Sequence, residues 1–236
     1  MSTDRALPGG HRTHPRRSPH RAEQLSAAGL QETARLHAGL PAEQVAFIAR
    51  AGTVMGDALR RGRKIIWFGN GGSATQSQHM AAELVGRFQQ ERRSLPSISL
   101  TENMASVTAI GNDYAFERIF ARQLEGLGRP GDVVVGLSTS GNSPNVVQAL
   151  KAARARGLST IGLTGRSGGR MAAWCDICIR VDSMVTARIQ EVHLTIGHLL
   201  CALAEAAVSG APRASPSTAL GTCRGILSLS KGPGLH

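Results

Sequence analysis

Lys64-Ile65-Ile66-Trp67-Phe68-Gly69-Asn70-Gly71-Gly72-Ser73 is a short apolar run that stops abruptly in glycine. Such a run is a strand buried on both faces rather than a helix, because it is too short for helical periodicity. Working outward, similar runs recur at 97–100, 132–137, 159–163 and 177–181. Helical stretches separate them at 74–88, 103–110, 115–127, 143–156 and 168–174, and a last helix covers 186–208. Continuous apolar strands alternating with helices predict an α/β fold: a five-stranded parallel sheet flanked by helices. Ahead of it, 23–38 and 41–61 carry Ala, Leu, Val and Ile at helical spacing, which predicts an N-terminal helical hairpin.

At 236 residues with 42% hydrophobic and 18% charged residues, the chain can bury one sizeable core and is not a disordered polymer. No run approaches the roughly 18 apolar residues of a spanning helix. No apolar segment follows the N-terminal Arg and His residues, so a signal peptide is not expected. Four Cys are too few for a disulfide framework at this length and point to a reducing, cytoplasmic setting. The net charge of +11 resides mostly in the ends: residues 1–22 hold five Arg against one Asp, and 209–236 hold Arg213, Arg224 and Lys231 with no acid. Both ends are expected to be disordered, a basic arm and a Gly/Pro/Ser-rich tail around a single domain at 23–208. With 3% aromatic residues, stacking platforms for single strands are scarce, and no specific nucleic-acid partner and no membrane is expected.

In parallel sheets, ligands sit beyond the carboxyl ends of the strands. Two of those ends have unusual chemistry. The first runs into Asn70-Gly71-Gly72-Ser73, where glycine lets backbone N–H groups approach an anion and the next helix adds its positive end. The third runs into Ser138-Thr139-Ser140-Gly141-Asn142-Ser143-Pro144, with four hydroxyls within six residues. That density suits a phosphate; an ST-turn with a helix cap is the plainer alternative. Gly69-x-Gly71-x-x-Ala74 with Glu102 also fits a relaxed dinucleotide fingerprint, although that leaves the hydroxyl loop unexplained.

His79 and Glu83 stand four residues apart on the helix after the first loop, so their side chains share one face. The pair can bind a divalent metal, zinc first among them, can serve as acid and base, or can be a surface contact. On the last helix, Gln190 and His198 are about 12 Å apart along the axis. If both serve one site, they come from different subunits. His193 is expected to be packed or solvent-facing, and Glu191 to be surface charge. Cys175 and Cys178, read as two residues of one strand, point to opposite faces and are expected to be structural.

Taken in order, Gly69-Asn70-Gly71-Gly72-Ser73, His79-Met80-Ala81-Ala82-Glu83-Leu84 with Arg87, Gly111-Asn112-Asp113, Ser138 through Ser143 and Arg188-Ile189-Gln190-Glu191-x-His193 closely resemble the phosphoheptose isomerases of the SIS sugar-isomerase domain family. The resemblance covers about 25–208. It implies an aldose–ketose isomerase converting D-sedoheptulose 7-phosphate to D-glycero-D-manno-heptose 7-phosphate through an enediol. It further implies a homotetramer with sites shared between subunits and one zinc per subunit held by His79, Glu83, Gln190 and His198. Glu83 and His198 would be base and acid. Asn70, Gly71, Gly72 and Ser73 with Asn112, Asp113, Glu83 and Gln190 would hold the sugar, and Ser138, Thr139, Ser140 and Ser143 the phosphate. Ala187 stands where some members carry Asp. The rival reading is a non-catalytic SIS protein that binds a sugar phosphate or the bacterial replication initiator protein; the presence of both Glu83 and His198 weighs against it.

Overall fold

A computed structural model describes residues 19–209. The hairpin is α1 (Pro19–Ala38) and α2 (Ala42–Arg60). Helix α1 starts at Pro19 rather than the expected 23; proline suits a first turn, where its missing N–H costs no hydrogen bond and its φ is already helical. The basic arm therefore lies outside the described residues except for 19–22, which are helical, and so does the tail beyond Ser209.

Five parallel strands follow: β1 (Ile65–Gly69), β2 (Ser97–Ser99), β3 (Val133–Ser138), β4 (Ser159–Gly165) and β5 (Ile177–Val181), in the order β2-β1-β3-β4-β5. Between them run α3 (Gly72–Val85), α4 (Met104–Asp113), α5 (Ile119–Leu127) and α6 (Pro144–Ala155), and α7 (Thr186–Val208) closes the domain. Two expected helices are shorter than their sequence pattern. The stretch 115–127 opens with a 3-10 turn at Phe116–Arg118, and 168–174 is only a 3-10 turn, Arg170–Trp174. At the second, Gly168 and Gly169 take φ of 75° and 57°, a left-handed backbone that no α-helix can include.

Alternate strand residues face opposite layers. Ile65, Trp67, Val133, Val135, Leu137, Ile161 and Leu163 pack with α2, α3 and α7, whereas Ile66, Phe68 and Val134 pack with α5 and α6. Helix α7, contrary to expectation, is apolar enough over its 23 residues to cross a membrane by length and composition. Its buried stripe, Ile189, Val192, Ile196, Leu200 and Ala204, instead fills the first layer. Helix α2 crosses it closely at Gly52 and Gly56, where Leu203 and Ala207 occupy the space of a side chain.

The chain turns one way from β1 to β2 and the other way to β3, so the topological switch falls between β1 and β3. Gly69 stands in register with Leu137, and the two loops singled out in the sequence open side by side there. This strand order differs from that of classical dinucleotide-binding domains. Glu102 Oε1 moreover accepts the Ser99 N–H at 3.2 Å, turning its carboxylate back on its own strand end.

Candidate active site

The two loops at the switch are bound to each other. Asn70 and the buried Asn145 exchange amide hydrogen bonds at 2.9 and 2.8 Å, which ties the β1 loop to the first turn of α6. Gly71, at φ 55°, turns the chain into α3. In the second loop, the Ser138 and Ser143 hydroxyls lie 2.9 Å apart, while Ser140 Oγ accepts the Asn142 N–H at 3.1 Å. Ser143 stands at the α6 cap but its side chain makes no capping bond. The ST-turn therefore exists, yet capping does not account for the loop's hydroxyls. Gly141, at φ 67°, packs directly on the backbone of Gly168 and Gly169, which leaves no room for a side chain. Thr139 is half-buried and Ser140 exposed, and the helix N-termini of α3 and α6 both point into the mouth. Ser73 is buried beneath it.

Helices α3 and α7 both leave the sheet at its carboxyl end and run side by side in the same direction. Gln76 Nε2 donates to the Gln190 carbonyl at 2.7 Å near the start, and Gly197 lies against Met80 further on. That register brings His198 to the His79–Glu83 pair. His79 Nε2 is 2.9 Å from Glu83 Oε1, the His79 and His198 rings meet edge to face at 5.1 Å, and the three side chains offer ligand atoms all within 4.8 Å of one another. His79 is exposed and the other two half-buried, so the cluster is reachable from solvent.

Gln190 does not stand with that cluster in the same chain. Its amide lies over Gly72, where a Cβ would come within 2.7 Å of Nε2, at the loop end of α3. His79 is about 10 Å further along that helix and Glu83 about 16 Å. One chain thus carries two groups: a cluster of His79, Glu83 and His198, and a mouth formed by the two loops and Gln190. His79 and His198 thus meet in one chain, and Gln190 stands apart from the cluster. Asn112 and Asp113 end α4 on the surface, joined by a 2.8 Å side-chain hydrogen bond.

Other residues took roles the sequence did not disclose. Glu191 is not mere surface charge: it accepts the Thr33 hydroxyl at 2.5 Å and pairs with Arg188 at 3.0 Å, docking α1 on α7. His193 is packed, as expected, and burial pushes its imidazole down to about 4 despite a hydrogen bond to the Thr164 carbonyl. Phe88 stacks on His198 with ring centroids 5.5 Å apart. It is held there by the buried Glu205, which accepts the N–H groups of Phe88, Gln89 and Gln90 at 3.1, 2.8 and 3.0 Å and lies 2.9 Å from Arg92 Nε. Burial would raise that carboxyl, but the three N–H groups and Arg92 outweigh it and hold it below the ordinary range. A lone Glu in the otherwise apolar run Cys201–Val208 was the available signal. Cys175 precedes β5 instead of lying in it, so strand alternation does not separate it from Cys178.

Comparison with known proteins agrees across sequence and fold. Residues 30–165 match the profile of the SIS domain. The phosphoheptose isomerase of Rhodospirillum rubrum is 56% identical over 161 residues, covering 68% of this chain and 86% of that protein. That of Solidesulfovibrio magneticus is 50% identical over 184 residues, covering 78% and 90%. Among solved structures, a phosphoheptose isomerase from Neisseria gonorrhoeae superposes with a TM-score of 0.74 at 40% identity, over 78% of this chain and 99% of that one. One from Francisella tularensis gives 0.72 at 35% identity, over 79% and 97%.

Proposed function

The chain belongs to the phosphoheptose isomerases of the SIS domain family, and from that premise we propose that it converts D-sedoheptulose 7-phosphate to D-glycero-D-manno-heptose 7-phosphate, on the way to activated heptose for surface polysaccharide. The observation that carries the reading is the convergence of His79, Glu83 and His198, a carboxylate and two imidazoles within 4.8 Å. Moving a carbonyl from C2 to C1 takes a proton from one carbon and returns one to the other through an enediol, which requires a base and an acid side by side. Glu83 is the base: His79 engages Oε1, which leaves Oε2 to take the proton. His198 is the acid, its ring plane fixed by Phe88 on one side and His79 on the other. A purely sugar-binding protein has no use for this pair.

The donor set fits a divalent metal, because two imidazoles and a carboxylate are the three protein ligands of an open zinc site. When bound, zinc would supply Lewis-acid polarisation of the substrate carbonyl. His79, Glu83 and His198 would hold it, joined by Gln190 of a neighbouring subunit. The neighbouring subunit's loops would likewise receive the sugar and phosphate through the residues corresponding to Asn70–Ser73 and Ser138–Ser143, with Asn112 and Asp113 at the edge. A homotetramer is the assembly that this division supports. Helix α4 has no buried residue, and Met104, Tyr114 and Phe116 around it are 62%, 60% and 59% exposed, as expected of a face covered by another chain. The three free thiols among the described residues suit the cytoplasm.

The test is direct. Purified protein incubated with sedoheptulose 7-phosphate should yield an aldose phosphate, should lose that activity to a chelator, and should regain it with zinc. Metal-replete protein that leaves the ketose unchanged would overturn the proposal.

A further inference from the structure

Cys175 caps the Arg170–Trp174 turn, and Cys178 projects from β5 on the side opposite Ile177 and Ile179. Cys178 is in register with Gly162 of β4, and Cys175 Sγ lies 2.5 Å from where a Gly162 Cβ would stand. Parallel strands are about 4.8 Å apart, so the space left by that glycine seats one thiol beside the other. Both cysteines are half-buried and line a cavity of about 310 Å³ together with Glu43, Phe47, Arg50 and Arg180. The Cys175 S–H reaches the Met171 carbonyl at 3.2 Å, and the Met171 N–H donates to the Gly141 carbonyl at 2.9 Å. Arg170 adds hydrogen bonds from N and Nη2 to Asn142, each 3.0 Å. One short turn therefore links the thiols to the hydroxyl loop.

We propose that Cys175 and Cys178 form a reversible dithiol–disulfide pair, closed by exchange with a small-molecule disulfide, and that closure loosens the Ser138–Ser143 loop. The second half rests on the assignment of that loop to phosphate binding. Cys178 is the attacking sulfur: it lines the cavity beside the Arg180 guanidinium, a setting that favours a thiolate, whereas the Cys175 S–H is engaged with the Met171 carbonyl. It attacks one sulfur of R–S–S–R, the external S–S bond breaks, and Cys178–S–S–R forms with release of one RSH. Cys175 then attacks the Cys178 sulfur and displaces the second RSH. Written from two thiols, the protein loses two electrons and two hydrogens, which end on the two small thiols. Closure consumes the Cys175 S–H and with it the bond to Met171, the buttress of Gly141.

The experiment equilibrates the full chain in buffers of graded reduced and oxidised glutathione, then alkylates and digests it with trypsin. The peptide 171–180 contains both cysteines and excludes Cys201 and Cys223. In oxidised buffer it should carry no alkyl group and weigh two hydrogens less than the free dithiol peptide, and dithiothreitol before alkylation should restore two alkylated cysteines. In the closed form, amide exchange across 138–143 should quicken and KM for sedoheptulose 7-phosphate should rise roughly five-fold, the effect of one lost neutral hydrogen bond. Cys178→Ser protein in the same buffers should keep the reduced behaviour. Two alkylated cysteines at every glutathione ratio would overturn the pair, and closure with unchanged exchange at 138–143 would overturn the link to the loop. Because peptide mass and exchange need no turnover, absence of isomerisation in the reduced protein would count against the proposed activity alone.

Discussion

Glu83 is the residue on which the proposed chemistry turns. Glu83→Gln keeps size and polarity but removes the base, so kcat should fall by at least ~10²–10⁴-fold with the fold intact by circular dichroism. Near-normal turnover would remove Glu83 from that role. Thr139→Val combined with Ser140→Ala takes donors from a group remote from the reacting carbons, so KM should rise more than kcat falls. Equal substrate binding in the double variant would reduce the loop to its ST-turn. His193 gives a pH signature. Its folded value, about 4, lies below the ordinary histidine value near 6.5, so the unfolded chain binds a proton that the native one refuses. Stability is complete above that ordinary value and declines as pH falls toward the folded one, by up to ~3 kcal/mol. Melting curves of wild type should fall more steeply from neutral pH to pH ~4 than those of His193→Gln; parallel curves would contradict the assignment. His79 and Glu83 were legible because both lie on one helix. Asn145, Phe88 and Glu205 were not, since each acts on a residue of another element.

The central strands β1, β3 and β4 were easiest to read, because burial on both faces makes each a near-continuous apolar run; the edge strands β2 and β5 are only partly buried. Element ends were harder. At 168–174 the available signal for a turn was Ser167-Gly168-Gly169, and both glycines take positive φ. Cys175 lies between that turn and β5, so the alternation of strand side chains does not extend to it. The parallel course of α3 and α7, which brings His198 to His79, depends on sheet topology and leaves no trace in spacing. The closest helix crossing offers a test: on Gly56, a Cβ would lie 2.4 Å from Ala207 Cβ. Gly56→Ala gains helix propensity of about 1 kcal/mol. Overpacking typically costs ~1–3 kcal/mol and should win, lowering the melting temperature. An unchanged or higher melting temperature would mean that α2 and α7 can part freely.

At the scale of the molecule, each chain carries the cluster and the mouth about 10 Å or more apart along α3, and the proposed working site takes one from each of two chains. This division was half visible in the sequence, since helix length separates Gln190 from His198. Which of them joins His79 could come only from the fold. Complementation between inactive variants tests it most directly. His79→Ala and Gln190→Ala proteins are mixed under conditions of subunit exchange, with exchange proved by mass spectrometry of differently tagged chains, and assayed on sedoheptulose 7-phosphate. Activity should return, because some sites combine an intact cluster from one chain with an intact Gln190 from another. A mixture of His79→Ala and His198→Ala should stay inactive, since no chain then holds a whole cluster. Recovery in the second mixture, or none in the first despite exchange, would contradict the account.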